Sequence, residues 1–158
     1  MFLTPKDRVT DHVSRGWWGE DTVDRLFQRV AAAGGDAPAL IDPSNRARLD
    51  GIEPKRLSWR QLQGEVERVA AAMLAAGLRK DDIIAVQLPN TVDAVLVLLA
   101  SARIGLIVSP VVMQYREHEL DFILDAVQAK AFVTIPGFGR HAHGAMAARL
   151  AAKPPGLS

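Results

Sequence analysis

From Ile83 onward the sequence alternates short β-branched runs with helical periods, and few folds accept that pattern. Ile83 to Leu88 is an apolar run, Thr91 to Ile104 is a nearly all-apolar helix with Asn90 in the capping position, and Leu106 to Ser109 is a second short run. A helix from about Arg116 to Val127, a strand at Ala131 to Ile135 and an alanine-rich helix from about His141 to Ala152 follow. Consecutive strand–helix–strand units close by right-handed crossovers, so the expected fold class is α/β: a parallel sheet covered by helices on both faces. The helix Thr91 to Ile104 has no polar face and is expected to lie buried between layers.

Upstream the elements are different. Val23, Leu26, Phe27, Val30 and Ala31 recur at helical spacing behind Asp21 and ahead of Gly34-Gly35, which predicts a surface helix with one apolar stripe, capped by Asp21. Ala37 to Asp42 predicts a short strand that returns, through Asp50-Gly51, to Arg56-Leu57 as a hairpin. Ser58 followed by Gln61 forms a capping box, and Leu62, Val66, Val69, Ala70, Met73 and Leu74 carry the next helix to Gly77. Trp17 and Trp18 sit between glycines in no regular period; they either pin the N-terminal segment to the body or contact a ligand or partner. The predicted organisation is an N-terminal segment 1–20, a body 21–152 and a Pro/Gly tail 153–158.

Composition narrows function by exclusion. The 158 residues, 49% hydrophobic, suit one globular domain. Nineteen Lys and Arg against eighteen Asp and Glu leave a net charge of +1, too little field to argue for nucleic acid or an anionic membrane. There is no cysteine, so disulfides, thiolate zinc sites and cysteine nucleophiles are excluded, and a reducing cytoplasm is the expected setting. Met1 to Val9 does not read as a secretory signal, and Ala94 to Ala102 is far shorter than the roughly 20 residues that span a bilayer.

Open α/β sheets bind ligands beyond the carboxyl ends of their strands, which directs attention to Pro89-Asn90, Pro110 to Tyr115 and Pro136 to Gly139. The first of these turns has no glycine and is no dinucleotide fingerprint. Gly137-Phe138-Gly139 lacks the third glycine and the Lys-Ser/Thr pair of a phosphate cradle and reads as an ordinary turn. His141 and His143 diverge on a helix and read as surface residues without a third metal ligand. Glu117, His118, Glu119 and Asp121 could serve as acid or base, but acidic residues in a first helical turn already suit the helix dipole. No catalytic, cofactor-binding or metal-binding role is therefore assigned to any residue of this chain.

The order of blocks is informative where single blocks are not. Leu57 to Leu62, Ala70 to Leu78, Asp82 to Asn90, Ala100 to Gly105, the strand ending at Pro110, and Tyr115 to Leu120 with Ile123-Leu124-Asp125 together resemble the opening of the adenylate-forming acyl-CoA synthetases. Tyr115 to Leu120 and Lys130 to Pro136 look most like the branch acting on cyclic, aromatic or medium-chain acids, such as cyclohexanecarboxylate-CoA ligases. The resemblance implies a reaction in which an acid and ATP give an acyl-adenylate and pyrophosphate, magnesium assists, and coenzyme A then takes the acyl group.

The family's phosphate loop, adenine and ribose motifs and catalytic Lys have no counterpart in residues 1–158. The leading expectation is accordingly an N-terminal part of such a ligase, inactive alone, whose parallel sheet is incomplete and whose partner is the missing C-terminal portion or another copy of itself. The alternatives are a non-catalytic module docking a partner through its uncovered sheet edge, and an unrelated small α/β domain with its own ligand. An unfinished sheet also predicts exposed apolar surface around Leu106 to Val112 and Phe132 to Ile135.

Overall fold

The computed structural model describes residues 4–152, so the expected tail 153–158 lies outside the described residues. The elements in order are α1 (Lys6–Ser14), α2 (Val23–Gly34), β1 (Pro38–Ile41), α3 (Arg46–Asp50), β2 (Arg56–Ser58), α4 (Trp59–Ala75), β3 (Ile83–Gln87), α5 (Val92–Ile104), β4 (Ile107–Pro110), α6 (Glu117–Ala126), β5 (Ala131–Thr134) and α7 (His143–Ala151). β1 and β2 pair antiparallel as the expected hairpin, with α3 in its connection. The other three strands form a parallel sheet in the order β4-β3-β5, with Ile83 opposite Ile107 and Ile84 opposite Ala131.

Alternation along β3 divides the core. Ile84 and Val86 point into the larger cluster built by α2, α4 and α5, where Val66, Ile84 and Ala100 are fully buried. Ala85 faces the opposite layer, a smaller cluster of Val111, Leu120, Met146 and Leu150. Both faces of the sheet are therefore covered, as the crossovers require. Along α5 only Leu98 is exposed, so this helix is the buried one that its composition demands.

Local details refine or correct the expectations. The Ser58–Gln61 capping box on α4 forms, with the Ser58 hydroxyl accepting from the Gln61 N–H and the Gln61 amide oxygen accepting from the Ser58 N–H. The cap of α2 is Thr22, whose hydroxyl accepts from the Arg25 N–H at 3.1 Å, and not Asp21. Asp21 instead holds Arg29 in a two-pronged pair at 2.9 and 2.8 Å. At the end of α2, a Cβ on Gly34 would fall on the Trp59 indole, so only glycine allows this close crossing of α2 and α4.

The apolar stripe of α2 is split. Phe27 and Ala31 enter the core, whereas Val23, Leu26 and Val30 are 62%, 46% and 48% exposed. Trp17 and Trp18 are both exposed. They fold back on α1, an element the sequence reading missed, and pack tilted and edge-on against His12 with ring centroids 5.4 and 4.6 Å away. Arg15 lies 5.0 Å from the Trp17 ring centre. The expected exposure around the sheet edges is mixed: Val112 is exposed, but Leu106, Val111 and Ile135 are buried.

Candidate functional site

The carboxyl ends of β3, β4 and β5 lie side by side, and Gln87 at the end of the central strand organises them. Its side chain is fully buried. The amide nitrogen donates to the Val112 carbonyl at 2.9 Å and the Tyr115 carbonyl at 3.1 Å, while its own backbone carbonyl accepts from the Thr134 hydroxyl at 3.1 Å. The Gln87 Oε1 finds no hydrogen-bond partner among the described residues. One residue thus ties the loop after β4 and the end of β5 to the middle of the sheet.

The loop after β4 is held from two further sides. Arg116 donates to the Met113 carbonyl at 2.7 Å and the Tyr115 carbonyl at 2.9 Å. His143 Nε2 lies 3.2 Å from the Met113 carbonyl and its Nδ1 lies 3.2 Å from the His141 carbonyl. A neutral imidazole carries one N–H and can donate to only one of them. His143 is therefore an internal brace, correcting its reading as a surface histidine: it is 1% exposed. His141 belongs to a short bridge with Phe138 and packs edge-on against the His143 ring at 4.6 Å. Its pKa is lowered, first by desolvation and then by the positive charge of Arg116.

The acidic group at the start of α6 is engaged structurally. Glu119 accepts from the Arg116 N–H at 3.0 Å, and this bond, together with its own backbone N–H, lowers its pKa. Glu117 accepts from Arg149 Nε at 2.7 Å, joining α6 to α7. Gly137-Phe138-Gly139 is the expected turn. Two of its amides are spent inside the fold, Phe138 N–H on the His141 carbonyl at 3.0 Å and Gly139 N–H on the Leu49 carbonyl at 2.8 Å.

A second polar centre, absent from the sequence reading, lies at the start of α5. The helix is capped not by Asn90 but from a distance, by Asp42, whose Oδ1 accepts from the Val92 N–H at 2.7 Å. Asp42 Oδ2 accepts from the Lys55 N–H at 2.8 Å and from Arg46 at 2.6 Å. Arg46 is fully buried and also pairs with Asp50 at 3.1 Å and with Asp93, which in turn holds Lys55 Nζ at 2.5 Å. Burial pushes the Asp42 carboxyl upward, but the Val92 and Lys55 amides and the Arg46 guanidinium together lower it. The signal available in the sequence is the spacing of four between Asp42, Arg46 and Asp50.

A helix start at the carboxyl edge of a parallel sheet normally offers amides and a positive dipole end to a phosphate. Here Asp42 fills that position. Among the described residues no group of three or more His, Asp or Glu is placed to hold a metal ion, and no helix is long and apolar enough to cross a membrane.

Comparison with known proteins supplies the wider frame. A family profile described as AMP-binding enzyme matches residues 27–156. A mitochondrial medium-chain acyl-CoA ligase of Rattus norvegicus is 38% identical over 98 residues, 62% of this chain and 16% of that protein. A medium-chain fatty-acid–CoA ligase of Escherichia coli is 30% identical over 127 residues, 80% of this chain and 21% of the relative. A 2-hydroxy-7-methoxy-5-methyl-1-naphthoate–CoA ligase of Streptomyces carzinostaticus is 26% identical over 96% of this chain and 25% of that protein.

Among solved structures, a Mycobacterium tuberculosis fatty acyl CoA synthetase superposes with a TM-score of 0.67 at 23% identity, covering 85% of this chain and 25% of that one. The N-terminal domain of FACL13 from the same organism gives 0.62 at 22% identity, covering 70% and 26%. The chain thus spans a sixth to a quarter of the curated relatives it matches.

Proposed function

Since this chain belongs to the AMP-binding enzyme family, we propose that it is the first part of the N-terminal domain of an ATP-dependent acyl-CoA ligase, with residues 21–152 as the ligase scaffold and 1–20 as an accessory segment. The reaction of the whole protein is then the joining of a carboxylic acid to coenzyme A through an acyl-adenylate, with release of AMP and pyrophosphate. The profile match over 27–156 carries this reading.

Two finer statements belong to the same proposal. The acid is drawn from the medium-chain, cyclic or aromatic class, supported by relatives named for medium-chain and naphthoate acids; nothing favours cyclohexanecarboxylate over the others. ATP, magnesium and coenzyme A are bound by the whole ligase and not by these residues alone. The Phe138 and Gly139 amides of the turn and the Val92 amide at the start of α5 are already engaged within the fold, and transition-state charge on a triphosphate needs free donors and cations. Absence of cysteine supports a reducing cytoplasmic setting.

The test is a hybrid in which residues 21–152 replace the matching segment of the Escherichia coli medium-chain ligase. Acid-dependent exchange of pyrophosphate into ATP is expected from the folded hybrid and not from the isolated chain. A folded hybrid without exchange overturns the ligase reading. Exchange by the isolated chain, lost on mutating one of its residues, overturns the assignment of the chemistry to the remainder.

A further inference from the structure

His143 brings two ring nitrogens against two acceptors. Nδ1 lies 3.2 Å from the His141 carbonyl and Nε2 lies 3.2 Å from the Met113 carbonyl. A carbonyl oxygen offers only lone pairs, so both contacts are hydrogen bonds only when both nitrogens carry a proton. A neutral ring leaves one nitrogen lone pair facing a carbonyl oxygen. The residue is 1% exposed, so bulk water does not relieve that contact.

The two acceptors differ. The His141 carbonyl is two residues away and takes the Phe138 N–H at 3.0 Å, a neutral donor. The Met113 carbonyl is 30 residues away and already takes the Arg116 guanidinium at 2.7 Å, a charged donor and the stronger one. A single proton is therefore better placed on Nδ1, where the acceptor is less well satisfied. The second proton is the one that reaches across to the loop after β4.

The charged and titratable neighbours come from three elements. His141, in the turn before α7, packs edge-on against the His143 ring at 4.6 Å. Desolvation first, then Arg116 and His143 itself, lower the His141 pKa, so His141 is neutral over most of the imidazole range. Arg149 of α7 and Glu117 of α6 also act on this pair of rings and neutralise each other through their own bond at 2.7 Å. Arg116, ahead of α6, is left opposing the second proton, with Glu119 on its backbone N–H.

We propose that His143 is a proton-operated latch: its second proton, on Nε2, ties the loop after β4 to the turn before α7, and loss of that proton releases the loop. The tied state is the protonated one. The tie is therefore complete on the acid side and is lost as pH rises through the imidazole range, about pH 5 to 8. Gln87 and Arg116 keep their bonds to the Val112, Met113 and Tyr115 carbonyls in the released state, so the loop loosens without leaving the sheet. The carboxyl end of the sheet is one unit in acid and two at higher pH. This device is independent of the ligase reading and stands or falls apart from it.

Nitrogen NMR shifts of the His143 ring in the 158-residue chain read the latch directly. From about pH 5 to about pH 8 they are expected to pass from two protonated nitrogens to Nδ1–H alone. The Tyr115 N–H donates to the Val112 carbonyl at 3.3 Å, and its exchange protection should fall about tenfold over the same range, the worth of one charge-assisted hydrogen bond. Phe138 keeps its protection. The Asp42, Asp93 and Glu119 carboxyls lie below their ordinary values and stay ionised throughout, so they do not supply the response. His143→Gln holds Tyr115 at the released level at every pH, and His141→Asn retains the full response.

A His143 ring whose proton count does not change over that range overturns the proposal, as does one that keeps Nε2–H and loosens Phe138 instead. A Tyr115 response that survives in His143→Gln, or vanishes in His141→Asn, overturns it as well. If His143→Gln does not fold, the unsubstituted chain decides alone: titration of the ring without loss of Tyr115 protection sinks the latch, and the two changing together support it.

Discussion

The carboxylate of Asp42 accepts the backbone N–H of Val92 across 50 residues of sequence, so the hairpin connection supplies the cap that α5 lacks on its own. The same carboxylate is one of three that surround the buried Arg46 guanidinium. Removing one member of a buried charge group costs more than the pair contributes, because the partner is left in low dielectric without compensation.

Asp42→Ala is therefore expected to destabilise the chain by about 3–5 kcal/mol, read as a lower urea midpoint at neutral pH. Asp42→Asn keeps an oxygen for the Val92 N–H and should lose clearly less. Equal losses for the two variants would show that the charge on Asp42 carries the whole effect and the oxygen that caps Val92 contributes nothing.

Acid should weaken the same link. The Asp42 and Asp93 carboxyls lie below their ordinary value of 3.8 in the folded chain, so the unfolded chain takes up protons first as pH falls. Their contribution is complete above about pH 5 and is lost as pH drops through 4 toward the folded values. Urea midpoints measured from pH 7 to pH 3 should fall, and the fall should be shallower in Asp42→Asn. A parallel decline in both proteins would assign the acid sensitivity to other groups.

Gln87→Leu removes two hydrogen bonds to the Val112 and Tyr115 carbonyls but also removes the unpartnered Oε1. The two effects oppose, so a net loss of only about 1 kcal/mol is expected. The loop should respond more than the global fold: amides from Met113 to Arg116 exchange faster, and the emission of Tyr115, the single tyrosine, changes. Unaltered loop exchange would show that Arg116 and His143 suffice to hold it.

Val23, Leu26 and Val30 form the exposed half of the α2 stripe. Replacing all three by serine should lower the binding of a hydrophobic dye while changing stability by roughly 0.5 kcal/mol per site or less. A large loss of stability would mean that the stripe is covered in solution.

These cases show where sequence reasoning reached and where it stopped. The parallel sheet and the buried α5 were legible because β-branched runs and an all-round apolar period each leave one packing solution. The Ser58 box was legible because its partners are three residues apart. The Asp42 cap was not, since Asn90 and Thr91 occupy the local capping positions and nothing in their vicinity names a donor 50 residues upstream. His143 failed for a related reason. Two histidines near a helix start look like solvent-facing residues until the Met113 carbonyl arrives from the loop after β4. For α2, periodicity identified the apolar stripe but not how much of it the core would take.

The position of β3 at the middle of its sheet has a consequence for synthesis. It leaves the ribosome before either neighbour, and its contacts to the loop after β4 and to β5 span 25 and 47 residues. Closing such loops costs entropy before any contact returns it, so local helical structure should form ahead of the sheet. For the time needed to add that second stretch, β3 keeps one edge open beside the most apolar helix of the protein. That interval, and not the finished fold, is when the nascent chain has most need of a chaperone.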